Sequence, residues 1–156
     1  MTDDENRVLN LVRSAFRDVT LGEGVGLREA NGLDDYADSR TLAACRAKDE
    51  KGDWSAISVK DLNRYSSSLS FFDAEGMRFH LPAYLVADLQ GTLTNADVVF
   101  HLVYFEHLGL TRFEKLTDSQ RHAVREFLLL RLSDPNCEFA RPMIERALRE
   151  FWLPTR

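Results

Sequence analysis

The sequence predicts a mostly α-helical, single compact domain spanning residues 1–156, with one small β-hairpin around residues 69–81. Three features point there. Amphipathic runs opened by capping residues recur along the chain, and glycine or proline separates them. One aromatic stretch, "LSFF" then "MRFHL", is interrupted by the polar turn Asp73-Ala74-Glu75-Gly76.

Taken in order, Thr2 and Glu5 form a T-x-x-E capping box ahead of Val8, Leu11, Val12, Ala15, Phe16 and Val19, which share one helical face. Gly22, Gly24 and Gly26 predict a loop, and a short helix from Leu27 to Asn31 is expected to stop at Gly32. Ser39 caps the next segment, "SRTLAACRAKDE". Ser58 and Asp61 open another, continued by Leu62 and Tyr65, until Ser66, Ser67 and Ser68 compete for the backbone and end it. In the hairpin, Asp73 starts a type I turn and Gly76 closes it. Alternation then places Phe79 and Leu81 on the core face, and Arg78 and His80 on the wet one.

Pro82 suits the first position of a helix that Gly91 stops. Thr94 and Asp97 cap a helix bearing Val98, Val99, Leu102 and Val103, with a strand as the alternative because so many of these are β-branched. Thr117 and Gln120 box the start of "DSQRHAVREFLLLRL", and Asp134-Pro135 ends it. The last helix pairs Met143 and Ile144, Ala147 and Leu148, Phe151 and Trp152, an apolar stripe whose Trp152 end could serve as a dimer surface.

Composition narrows the function. A chain of 156 residues buries enough surface to fold without a disulfide or a metal. Its opening is acidic where a secretory signal is basic, and no apolar window reaches membrane-spanning length. Two distant cysteines, Cys45 and Cys137, suit a reducing compartment, so a cytoplasmic location is expected. Net charge is −5, concentrated in residues 1–111, where 18 acids face 11 bases. Such a balance disfavours nucleic acid and favours a protein partner with a basic surface.

Candidate chemistry is sparse. Asp73, Glu75, Arg78 and His80 lie close together, and histidine beside a carboxylate is the raw material of acid–base catalysis. Turn chemistry explains the same four residues without catalysis. His80, His101, His107 and His122 include no i, i+4 pair, so no helical zinc motif is present, and no cofactor is expected. "GEGVG" follows a helix and lacks the lysine and hydroxyl of a phosphate-binding loop. Ser66, Ser67 and Ser68 form no nucleophile elbow, and Asp34, Asp35 and Asp38 lack calcium-loop spacing.

The order "GLREANGLDDYA", "DWSAI", "LSFFDAEGMRFHLPAYLVADL" and "LTDSQRHAVREFL" resembles a family of small bacterial proteins known only as a domain of unknown function. The specific part is the run from Phe71 to Leu89, with the signature F-F-D-A-E-G-M-R-F-x-L-P-A-Y-L. A looser similarity links such modules to immunity-like proteins. The resemblance implies a structural role for this stretch and brings no activity with it. Two functions follow as expectations: a non-enzymatic binding module acting through an acidic surface, or a small acid–base or metal-assisted hydrolase using His80 with Asp73 or Glu75.

Overall fold

The apolar run from Met77 to Leu89 becomes the central helix of the protein. The computed structural model describes residues 1–104 and 110–153. Its α-helices are α1 (Asp3–Ala15), α2 (Leu27–Asp34), α3 (Ser39–Lys48), α4 (Val59–Arg64), α5 (Ala74–Leu89), α6 (Val98–Val103), α7 (Asp118–Leu132) and α8 (Arg141–Ala147). Helix α5 packs against α1, α6 and the 3-10 turns at Trp54–Ala56 and Leu110–Phe113, while α7 lies along α1 and meets α8. Because neighbours surround it, α5 buries residues on every side, including Met77, Phe79, Leu81, Tyr84, Leu85 and Leu89. One continuous core joins these to Val8, Val12 and Phe16 of the first helix and to Val124, Phe127 and Leu128 of α7.

No strand occurs among the described residues, so the β-hairpin expected at 69–81 is corrected. A 3-10 turn, Ser66–Ser70, runs directly into α5. The reason is local: the Asp73 carboxylate accepts a hydrogen bond from Gly76 N at 2.8 Å, making D-x-x-G a helix cap and its third residue rather than a turn. Phe79 and Leu81 are buried as expected, but His80 is buried with them instead of facing water. Pro82 sits inside α5, not at its start. It withholds an N–H from the Arg78 carbonyl, a defect of about 3 kcal/mol in a helix interior, which the burial around it outweighs.

Elsewhere the caps carry the local structure. Thr2 Oγ1 accepts from Glu5 N at 3.1 Å, and Ser58 Oγ from Asp61 N at 3.2 Å. Both halves of the Thr117–Gln120 box form, at 3.2 and 3.0 Å. Asp38, not Ser39, caps α3. Helix α2 continues through Gly32 to Asp34. The segment after Asn95 is helical, with Asp97 alone as its cap, since Thr94 N instead donates to Asn63. Past α8 the chain widens into a π-helical turn, Leu148–Trp152. Trp152 is fully buried there, its indole N–H donating to Leu102 O at 2.8 Å, so the expected exposed Trp152 surface is absent. Trp54 makes the matching bond to Phe16 O at 2.9 Å. No helix among the described residues is long and apolar enough to cross a membrane.

Candidate functional site

Of the four residues singled out in the sequence, Asp73 and Glu75 form a joint between α5 and the glycine-rich loop. Asp73 Oδ1 accepts from both Gly76 N and Val25 N, the latter at 3.0 Å. Glu75 Oε2 accepts from Glu23 N at 3.1 Å, and its other oxygen pairs with Lys115 Nζ at 3.3 Å. The loop amides of Glu23 and Val25 are thus satisfied by this chain's own carboxylates. Backbone meets backbone at the centre: a Cβ on Gly24 would lie 2.7 Å from Gly76 N, and one on Gly76 would lie 2.6 Å from Val25 O. Arg46 grips the loop from outside through the carbonyls of Gly22 and Gly24. Beside it, buried Asp49 fills the N-terminus of α2, accepting from Arg28 N at 2.7 Å and Glu29 N at 3.2 Å. Burial pushes the Asp49 carboxyl up, and those two N–H groups pull it back.

His80 lies under this joint with no exposed surface. Its Nδ1 is 2.7 Å from Gly76 O, and since a carbonyl only accepts, Nδ1 carries the proton and donates. The ring stacks on Phe72 at 4.2 Å, nearly parallel, and meets the Phe79 ring edge-on. Burial lowers its pKa to about 4, against the opposing pull of the Gly76 carbonyl and the Asp73 charge. At neutral pH the imidazole is therefore neutral, with Nε2 buried and unpartnered. Arg78 is half-buried, and its Nε also lacks a partner. A general base must reach the proton it removes. His80 has the protonation state for that work and no surface through which a substrate touches it.

A second arrangement was not singled out in the sequence. Between the end of α5, the start of α6, the end of α7 and the 3-10 turn Pro135–Ala140 lies a cleft of about 570 Å³. Leu89, Val99, Phe100, Val103, Phe139 and Met143 supply its apolar lining, and Glu5, Asp88, Asp97 and Asp134 its carboxylates. One guanidinium answers them. Arg131 Nε pairs with Asp88 at 2.9 Å, Nη1 with Asp134 at 3.3 Å, and Nη2 donates to the Asp88 carbonyl. Burial raises the Asp88 carboxyl; Arg131 lowers it, and Asp97 and Asp134 push it further up. The Cys137 thiol is likewise raised, first by burial and then by Asp134. Phe139 stands 97% exposed at the rim and Phe100 45% exposed. The carboxylates come from different segments, and two of them cap turns of helix: Asp97 accepts from Phe100 N and Asp134 from Asn136 N. Phe139, an aromatic in the polar run "NCEFAR", is the one local hint of the cleft in the sequence.

The remaining candidates stay apart. His122 is exposed, and His101 is half-buried, with burial and the Arg112 charge lowering its pKa to about 4. His107 lies outside the described residues. Among the described residues no cluster of three or more His, Cys, Asp or Glu could hold a metal ion, and Cys45 and Cys137 are unpaired.

Residues 4–156 match the model of a family described as a family of unknown function (DUF6714). No curated protein and no solved structure matches the chain. The chain belongs to the DUF6714 family, on a match that spans nearly its whole length.

Proposed function

We propose that this member of the family is a non-enzymatic protein-binding module of the bacterial cytoplasm, immunity-like in mode, acting as one domain that presents an acidic surface to a basic partner. The observation that carries the reading is the cleft beside α6, where four carboxylates surround apolar walls and only Arg131 opposes them. Unbalanced charge of this kind accelerates association with a partner of opposite sign and repels nucleic-acid phosphates.

The alternative, a hydrolase using His80 with Asp73 or Glu75, draws on the neutral imidazole and its free Nε2. Weighing against it are the burial of the ring and the engagement of both carboxylates by loop amides.

Capture from a bacterial lysate at low salt tests the binding reading, with wild type and Asp97→Asn compared side by side. Asparagine caps helices as well as aspartate does, so the variant removes charge and keeps the fold. A partner that is released by salt and held less well by the variant supports the proposal. Retention indifferent to both salt and the substitution counts against it.

A further inference from the structure

This inference rests on the binding reading above and gives the partner its chemistry. The geometry points to the α6 cleft as the seat of one basic side chain, arginine or lysine, carried next to an apolar residue on an amphipathic helix of the partner protein.

Charge is the first ground. Glu5, Asp88, Asp97 and Asp134 line the cleft. Arg131 is spent on Asp88 and Asp134. Asp97 has no ion-pair partner among the described residues; one of its oxygens accepts from Phe100 N. An additional cation is what the site lacks.

The kind of cation follows from the walls. No set of side chains among the described residues converges as metal ligands do. The carboxylates instead share the cleft with Val99, Phe139 and Met143, which suit the methylene stem of a long basic side chain. The exposed ring of Phe139 is open to its charged head, whereas Phe100 is stacked on Tyr104. At about 570 Å³ the cleft has room for a second, apolar side chain beside the first, which an amphipathic helix supplies three or four residues away.

A defined probe tests this without a known partner: an amphipathic peptide of leucine and lysine in helical order, compared with the same peptide carrying Nε-acetyl-lysine throughout. Amide NMR on the full chain at low salt should show shifts centred on Asp97, Val99, Phe139 and Met143. Affinity should fall by about tenfold or more, the scale of one lost charge contact, for the acetylated peptide and for Asp97→Asn, and it should fall for Phe139→Ala through the lost apolar contact. Shifts centred on acidic residues elsewhere, such as Asp34 and Asp35, would overturn the cleft while leaving an acidic binding surface in place. Absence of peptide binding, or equal binding of the acetylated form, overturns it too. So does a concentration-dependent self-association of the free protein that occupies the same residues. The reading beneath it fails separately, if capture from lysate is indifferent to salt and to Asp97→Asn.

Discussion

The joint under Gly24 and Gly76 and the cleft beside α6 are built from the same kinds of residue, and they differ in how completely those residues are used. At the joint each carboxylate meets a backbone N–H, glycines let two backbones touch, and the histidine is sealed behind aromatic rings. In the cleft, Arg131 pairs with Asp88 and Asp134 only, Asp97 has no ion pair among the described residues, and a phenylalanine stands in water. Saturated polar groups hold a fold together, and unsaturated ones remain available to a partner. Density of ionisable residues along the chain therefore marks the closed joint and not the open cleft.

The sharpest way to break the comparison is to hollow out the closed side. Phe79→Ala should cost about 3–5 kcal/mol in urea unfolding, as large-to-small changes at fully buried positions do. A loss under about 1 kcal/mol, the scale of surface sites, would mean that this side of α5 is not closed.

Next in size is the pH dependence of stability. His80 has a folded pKa near 4 against an ordinary 6.5, so on acidification the unfolded chain takes up its proton first. Its contribution is full above pH 6.5 and declines towards pH 4, a span of about 3 kcal/mol. His101 titrates in the same window, so the residue-specific quantity is the difference in slope between wild type and His80→Gln. Parallel slopes would show that His80 titrates as it does in water.

Gly76→Ala sharpens the picture through its sign. Alanine is the better helix former by up to about 1 kcal/mol, yet its Cβ would press on the Val25 carbonyl. Overpacking should win, with a net loss of about 1–3 kcal/mol on thermal or urea unfolding. A gain would show that the loop yields.

The smallest effect belongs to the open side. Phe139→Ala should change stability by less than about 0.5 kcal/mol, because the ring has little to lose. A larger loss would mean that Phe139 packs into the fold and is not held out for a partner.

What was legible in the sequence was local. Thr2, Ser58 and Thr117 announce helices through hydrogen bonds that span three residues, and each does so in the structure. The hairpin misled for a physical reason: Asp-x-x-Gly satisfies a turn and a helix start equally well. A helix buried on all sides also shows no amphipathic period to arbitrate. The overlooked evidence was propensity, since Met77, Ala83, Leu85, Ala87 and Leu89 favour helix over strand. Proximity of Asp73, Glu75, Arg78 and His80 was visible, but their role was not, because the loop that Asp73 and Glu75 hold lies some fifty positions earlier. "GEGVG" and "DAEG" looked like two separate turns and are halves of one contact. The cleft draws on separated segments and no spacing rule could assemble it.

The two buried tryptophans are optical reporters at two different places in the fold. Trp54 is tied to Phe16 at the end of α1, and Trp152 to Leu102 between the cleft-lining Val99 and Val103 of α6. Single Trp→Phe variants would therefore split the intrinsic fluorescence by location. Emission that changes on titrating a ligand into the Trp152-only protein, and stays constant in the Trp54-only one, would assign occupancy to the cleft without any attached label.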